Sequence, residues 1–426
     1  MKLAVVVQRY GADISGGAEL HARYIAERLA RHATVEVFTT RATDYVSWRN
    51  ALPAGTEQVN GITVRRFGVS RPRRVTEFGH RSRYVFEHRH SLAEELRWMD
   101  SQGPLSRPLL RHIARVRDEF DWFLFFSFRY YHAYHGPRTV PDKAILVPTA
   151  ERDAVVGLGM FPPVFRGVRA IMYNSAEERA MIEAVSQRRG PSVVVGIGSY
   201  IPERTDPGRF RKKHGIKGPF AVYIGRLDVN KGCREMFAYF EQYAVRFPNG
   251  LGLVLIGSKH LEIPDHPRIK HLGFVPDDDK FDALAAADVL IMPSPYESLS
   301  MVTLEAWALG KPVLVNAACD VLRGQTMRSR GGLYYDNVEE FCEGLYALEA
   351  RGPMAAVLGR HGREYFTRHY TWPVIDRKYL EMFERLKREP AVEPMAPLPG
   401  FFARRHRTLP PGHEVLAAVP VGPATR

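Results

Sequence analysis

The feature that most constrains the fold is a repeated alternation between short apolar runs and segments with helical periodicity. Leu3–Val7 is an apolar run, Ala18–Ala30 carries apolar residues at helical spacing, and Thr34–Thr40 is a second apolar run. This order predicts a strand–helix–strand unit, from which parallel sheets with helices on both faces are built. Further strands are predicted at Gly61–Phe67, Trp122–Phe126, Ala144–Val147, Ala170–Asn174 and Val193–Gly196.

The alternation stops at Gly198–Gly208, where two prolines stand among polar residues, and it then begins again. Strands are predicted at Phe220–Ile224, Leu251–Gly257, Ile269–Leu272, Val289–Pro293 and Pro312–Asn316. Helices are predicted at Gly232–Phe247, Asp277–Ala287, Val302–Leu309, Glu339–Glu349 and Ala355–His369. With 426 residues the chain is too long for one ordinary core, so we expect two doubly wound, Rossmann-like α/β domains. Ligands of such sheets bind beyond the carboxyl ends of the strands, which makes the cleft between the domains the expected site.

The predicted domain boundaries follow from these patterns. An N-terminal domain covers residues 1–199 and a C-terminal domain covers residues 200–372. The amphipathic segment 373–388 is predicted to be a helix, and the proline-rich segment 389–426 is predicted to be irregular.

Composition excludes several classes of protein. No apolar run approaches the roughly 20 residues of a membrane-spanning helix, and the first apolar run is too short for a signal peptide. Cys233, Cys319 and Cys342 have neither zinc-site nor disulfide spacing, which favours reduced thiols and a cytoplasmic protein.

The formal net charge of +13 favours anionic partners. Basic residues cluster between Arg65 and His90. This cluster is interpreted either as a solvated face or as a surface that contacts an anionic membrane or acceptor at the inner membrane face. Nucleic acid is not expected as a partner, because no recognition module accompanies the charges.

A glycine-rich loop follows the first predicted strand and opens the first helix. Gly16 and Gly17 allow close backbone approach, and the helix N-terminus offers free N–H groups to a phosphate or a sugar hydroxyl. A tight structural turn explains the same glycines, so this loop alone does not specify a function.

Two cations follow the strand at Phe220–Ile224. The loop contains Gly225, Arg226, Lys231 and Gly232, and the strand end directs it toward the cleft. Arginine can grip a diphosphate with its planar fork, whereas lysine supplies a movable point charge. Cations held at this position would stabilise the charge that develops on a departing diphosphate. An ordinary surface loop with two cations remains the alternative for this segment taken alone.

A third segment carries two carboxylates around a predicted helix start. Glu297 lies in the loop after the strand at Val289–Pro293, and Glu305 lies eight positions later, inside the helix. Backbone N–H groups at the helix start can bind an anion, and carboxylates accept hydrogen bonds from vicinal hydroxyls. Carboxylates on either side of a diphosphate can therefore hold two sugars, the transferred sugar and the ribose.

Taken together, these segments resemble family 4 of the glycosyltransferases, which are retaining enzymes of the GT-B fold. The resemblance covers residues 1 to about 388 and includes the pair Glu297 and Glu305 with the flanking sequence EAWALGKPV. It implies two Rossmann-like domains that face each other across a cleft. It also implies transfer of a sugar from a nucleotide diphosphate sugar, without a metal or another cofactor, to a sugar, lipid-linked or other hydroxyl acceptor.

The resemblance also implies residue roles. Arg226 and Lys231 would bind the diphosphate, Glu297 would contact the transferred sugar, and Glu305 would hold the ribose. Backbone groups of Ser298, Leu299 and Ser300 would meet the diphosphate, and Gly273, Phe274 and Val275 would line the base pocket. Gly16 and Gly17 would face the donor phosphate or the acceptor, and Gly225 would approach the donor.

One position departs from the family pattern. Glu151 stands in the segment Val147–Asp153, where such enzymes usually carry a histidine close to the donor sugar. A carboxylate can accept hydroxyl groups there, but it adds negative charge near a developing cation. Two alternatives to transferase activity are therefore kept: a catalytically silent nucleotide-sugar-binding module, and a nucleotide-sugar epimerase of the same fold.

Overall fold

The chain forms two β-sheets that follow one another in sequence. A computed structural model describes residues 1–14, 16–390, 395 and 412–417. The first sheet contains β1 (Lys2–Val6), β2 (Thr34–Thr40), β3 (Gly55–Val59), β4 (Ile62–Phe67), β5 (Trp122–Phe126), β6 (Ala144–Val147), β7 (Ala170–Tyr173) and β8 (Ser192–Val194). The second contains β9 (Phe220–Ile224), β10 (Gly252–Ile256), β11 (Ile269–His271), β12 (Val289–Met292), β13 (Val313–Asn316) and β14 (Gly332–Tyr335).

Helices connect the strands in both halves. Those of the first half are α1 (Gly17–Leu29), α2 (Val75–Glu87), α3 (Leu92–Gln102), α4 (Arg107–Arg115), α5 (Tyr131–His135), α6 (Pro162–Gly167) and α7 (Ala176–Ser186). Those of the second half are α8 (Pro207–His214), α9 (Cys233–Arg246), α10 (Asp277–Ala286), α11 (Met301–Ala308), α12 (Asp320–Ser329), α13 (Val338–Ala350) and α14 (Gly352–His369). They are followed by α15 (Trp372–Arg388) and α16 (Gly412–Ala417).

Strand order places the centre of each sheet at its first strand. The first sheet has the order β3-β4-β2-β1-β5-β6-β7-β8, and the second has the order β11-β10-β9-β12-β13-β14. Strand pairing is parallel except for the hairpin of β3 and β4. The order reverses between β1 and β5 and between β9 and β12, and a crevice is expected at each of these switch points.

The central strands of each sheet are buried on both faces. In β1, Leu3 and Val5 belong to one hydrophobic cluster, whereas Ala4 and Val6 belong to another. The same alternation in β9 divides its residues between two clusters. The continuous apolar strands in the sequence therefore reflect helices packed on both sides.

The basic cluster predicted between Arg65 and His90 is only partly a free surface. Arg66 is buried in β4 and pairs with Glu57. The guanidinium of Arg73 lies over the ring of Phe78 at 4.2 Å and donates a hydrogen bond to the carbonyl of Gln102. Part of the cluster thus stabilises the fold instead of forming a free surface.

Helix α15 returns the chain to the first sheet. The Arg28 side chain on α1 donates two hydrogen bonds to Asp376 on α15, one of them at 3.2 Å, and its guanidinium also lies over the Trp372 ring. The boundaries at residues 199 and 372 remain predictions. Most of the predicted irregular tail, 389–426, lies outside the described residues, and its described part includes the helix α16 rather than only irregular structure.

The three cysteines are free and buried. None of the described helices is both long enough and apolar enough to cross a membrane.

We expect Asp376→Asn to lower the free energy of unfolding by about 3 kcal/mol, because Arg28 would remain buried without its counter-charge. Glu381→Gln serves as the control, since this side chain lies exposed on the same helix. Urea denaturation measures both variants. Equal losses in the two variants would show that the Arg28–Asp376 pair does not anchor α15.

Candidate functional site

The two sheets share a cavity of about 900 Å³ that opens at the carboxyl ends of their strands. Its walls come from the loops after β1 and β5 in the first sheet and from the loops after β9 and β12 in the second. These are the loops at the switch points, so the topology of both sheets leads to one site.

Nearly all the residues predicted for the site line this cavity. The exceptions are Gly273 and Val275. Val275 is buried in the hydrophobic core, whereas the neighbouring Phe274 is 84% exposed at the rim. The predicted residues that line the cavity are Gly16, Gly17, Gly225, Arg226, Lys231, Phe274, Glu297, Ser298, Leu299, Ser300 and Glu305.

A close approach of two loops positions Lys231. Gly232 has φ 72°, and a Cβ there would lie 2.1 Å from the carbonyl oxygen of Pro293. Glycine is therefore required where the loop after β9 touches the end of β12. The contact brings the Nζ atom of Lys231 within 2.6 Å of an Oε atom of Glu297. Burial alone would lower the pKa of Lys231, but the nearby Glu297 carboxylate outweighs it and raises that pKa.

Arg226 is held between the two halves of the molecule. Its Nε atom donates to the Asp228 carboxylate in its own loop. Its Nη1 atom donates to the hydroxyl of Tyr45, 3.1 Å away, in the loop after β2. The guanidinium therefore stands at the cleft with its orientation set from both sides.

The N-terminus of α11 faces the cavity. Ser300 precedes the helix with φ 69°, and its side chain accepts a hydrogen bond from the Thr303 N–H. A non-glycine residue in the left-handed region is uncommon, and such residues concentrate at functional sites. Ser298, Leu299 and the first turn of α11 line the cavity beside Lys231, so backbone N–H groups and a cation converge there.

Glu305 lies deeper along α11 and is 2% exposed. Its Oε1 atom accepts hydrogen bonds from the Ser199 hydroxyl at 2.7 Å and from Lys280 Nζ at 3.1 Å. Its Oε2 atom has no hydrogen-bond partner among the described residues. A buried acceptor without a partner is costly, and a ligand hydroxyl at this end of the cavity would satisfy it.

The glycine-rich loop of the first sheet has a structural partner. Gly16 has φ 143°, and a Cβ there would lie 2.3 Å from an oxygen of Glu19. Glu19 in turn forms a buried pair with Arg9, with an N–O distance of 2.6 Å. The Glu19 carboxylate is thus paired inside the protein, and the backbone of the glycines faces the cavity.

Several cavity residues were missed by the sequence reasoning, although most follow strand ends. Ser127 and Thr149 come after β5 and β6, both have positive φ, and their hydroxyls form a 3.0 Å hydrogen bond. Asn174 comes after β7, and its Nδ2 atom lies 3.5 Å from the Ser298 hydroxyl of the other sheet. Polar residues directly after buried strands were the available signal. His21 on α1 carried no such signal, and burial lowers its pKa to about 3.

A second set of charged residues lies on the wall of the cavity that the first sheet provides. Arg129 donates to Asp153, and its Nη2 atom lies 3.9 Å from an Oε atom of Glu151. Burial raises the pKa of Glu151 despite the opposing effect of Arg129. The residue that departs from the family pattern therefore lies in the cavity, where it faces Glu297 and Lys231.

Comparison with known proteins agrees with this architecture. Residues 218–350 match the family model described as glycosyl transferases group 1. Mannosylfructose-phosphate synthase of Agrobacterium fabrum is 25% identical over 201 residues, which cover 43% of this chain and 44% of the relative. The chain thus spans less than half the length of this curated relative.

Solved structures show the same fold over most of the chain. Sucrose-phosphate synthase from Thermosynechococcus elongatus has a TM-score of 0.67 and 16% identity, covering 90% of this chain and 98% of its own. Anabaena Alr3699/HepE in complex with UDP-glucose has a TM-score of 0.63 and 16% identity, covering 90% and 100%. The predicted α/β fold with two Rossmann-like domains is confirmed. The chain therefore has the GT-B fold, and its residues 218–350 match the group 1 glycosyl transferases.

Proposed function

We propose that the chain is a retaining glycosyltransferase of family 4 that moves a sugar from a nucleotide diphosphate sugar to an acceptor hydroxyl. The observation that carries the proposal is the convergence of Arg226, Lys231 and the α11 N-terminus in one cavity. These groups fit a diphosphate, because they combine two cations with free backbone N–H groups. The structure in complex with UDP-glucose, a relative by fold, supports a nucleotide sugar as the donor.

The residues along the cavity are arranged in the order in which the parts of such a donor would bind. Glu305, with its unpartnered buried oxygen, suits the ribose, and Phe274 at the rim suits the base. Glu297 lies in the loop before α11, beside Lys231, and suits the transferred sugar. The diphosphate then occupies the space between the two carboxylates.

The proposed reaction is a front-face displacement. The acceptor oxygen forms a bond to the anomeric carbon on the face from which the diphosphate leaves, while the bond between that carbon and the phosphate oxygen breaks. The acceptor proton passes to the departing phosphate, so the protein need not supply a base. Arg226 and Lys231 stabilise the charge that develops on the leaving group, which lowers the barrier of the chemical step.

Wider features of the proposal rest on the sequence. A role in polysaccharide, glycolipid or other glycoconjugate assembly, a cytoplasmic location and contact with an anionic membrane surface remain predictions. No observation in the described residues favours the silent module or the epimerase.

We expect Arg226→Ala and Lys231→Ala each to reduce kcat by at least about 100-fold, since each removes a donor to the developing charge. Release of nucleoside diphosphate from a panel of nucleotide sugars measures the rate. Arg246→Ala and Lys387→Ala are the matched controls, because both cations are about half exposed on helices outside the cavity. Rates equal to those of the controls would remove both residues from the active site.

The product should keep the anomeric configuration of the donor. Proton NMR of the fresh product, through the coupling constant of its anomeric proton, distinguishes the two anomers. An inverted product would exclude front-face displacement and would require a protein base in the cavity.

Transfer should persist after metal removal, because the cations of the loop after β9 take the place of a metal at the diphosphate. The assay is repeated after dialysis against EDTA, with and without added Mg²⁺ or Mn²⁺. A rate that falls to background and returns with one of these metals would contradict this assignment.

A further inference from the structure

One carboxylate in the cavity lacks the hydrogen bonds that such a group normally has. The Glu151 side chain is 32% exposed, and its ion contact is with Arg129 at 3.9 Å, beyond hydrogen-bond distance. Among the described residues, no side chain or backbone N–H donates a hydrogen bond to it. Arg129 itself donates to Asp153 instead. A partly buried carboxylate in this condition is stabilised by any ligand that offers hydroxyl donors.

The loop that carries Glu151 is held in place. Thr149 has φ 50° and its hydroxyl contacts Ser127, while the N–H of Ala150 donates to the buried carboxylate of Glu178. Glu178 also accepts a hydrogen bond from the Asn174 N–H at the end of β7. The backbone on the N-terminal side of Glu151 is thus held at two successive residues, which fixes the point from which its side chain extends.

Glu151 faces the end of the cavity assigned to the transferred sugar. Its charge interacts with Glu297 and Lys231 of the opposite wall. Glu305 lies inside α11, whereas Glu297 lies in the loop before that helix, and Glu305 contacts Lys280 instead. Glu151 is therefore placed to contact the sugar rather than the nucleoside.

At this end of the cavity, the carboxylates outnumber the cations that they face. The carboxylates of Glu151, Asp153 and Glu297 face two cations, of which Arg129 is bound by Asp153 and Lys231 by Glu297. When a diphosphate recruits Lys231, the negative charge of Glu151 and Glu297 is left facing the sugar. A sugar that carries its own carboxylate would then meet like charges in a partly desolvated space.

We propose that Glu151 makes the site selective for donors whose transferred sugar is uncharged and offers a hydroxyl group, against donors whose sugar is a uronic acid. The proposal rests on the proposed function, because it assumes that a nucleotide sugar occupies the cavity. At separations of about 6 Å and an effective dielectric constant near 20, the discrimination is on the order of 10- to 100-fold.

The test is equilibrium binding by titration calorimetry with matched probes. The probes are UDP, UDP-glucose and UDP-glucuronic acid, and the corresponding GDP, GDP-mannose and GDP-mannuronic acid. The wild-type protein should bind the neutral sugar nucleotide at least about tenfold more tightly than its uronic acid. Glu151→Gln preserves the shape and removes the charge, so it should reduce this ratio to within about threefold, chiefly through tighter binding of the uronic acid.

Two controls separate the possible outcomes. Glu183→Gln on the surface of α7 should keep the wild-type ratio, and binding of the free nucleoside diphosphate should be the same in all variants. Glu151→Ala provides a second variant without the charge. An unchanged ratio in both Glu151 variants, with intact nucleoside diphosphate binding, would overturn the inference alone. No binding of either nucleoside diphosphate to the wild-type protein would overturn the proposed function, and the inference with it.

Discussion

Charge compensation within the cleft is the constraint on which the site depends. Lys231 pairs with Glu297, Arg226 with Asp228, and Lys280 with Glu305. Each pair lies within the second half of the chain, so the cations keep their positions before any ligand arrives. A diphosphate therefore meets an arrangement that is already oriented, and little reorganisation is needed when charge develops on it.

The fold brings these pairs together in loops and helices that follow the ends of strands. The first strand of each sheet lies where the strand order reverses, and the loops that follow those strands open into the same cavity. Close backbone contact between Gly232 and Pro293 joins the cation loop to the carboxylate loop. On the opposite wall, Glu178 ties the ends of β6 and β7 together through their backbone N–H groups. The chemistry of the site thus depends on packing that brings its residues within contact distance.

Local patterns allowed much of this to be predicted. Strands such as Trp122–Phe126 and Phe220–Ile224 are buried on both faces, so their apolar runs define them directly. Arg226, Lys231 and Glu297 could be found because each follows a predicted strand, and polar residues at that edge point to a site. These signals are confined to a few consecutive residues, and sequence alone can express them.

The rest depends on contacts between distant segments. Nothing near Tyr45 indicates that its hydroxyl meets Arg226, and nothing near Ser199 indicates that it binds Glu305. Arg66 was grouped with a basic surface, yet its side chain is buried and pairs with the exposed Glu57 on the neighbouring strand of the hairpin. The helices between β4 and β5 were not predicted. Val275 was assigned to the base pocket through the family resemblance, but its side chain is buried in the core, whereas that of Phe274 is exposed at the rim.

The most direct test of the central claim is a crystal structure of the protein with a bound nucleoside diphosphate. The diphosphate is expected to lie between Glu297 and Glu305. Its oxygens should be within hydrogen-bond distance of Arg226, of Lys231 and of the backbone N–H groups that begin α11. A diphosphate bound elsewhere on the molecule, with this cavity empty and Lys231 still paired with Glu297, would contradict the account.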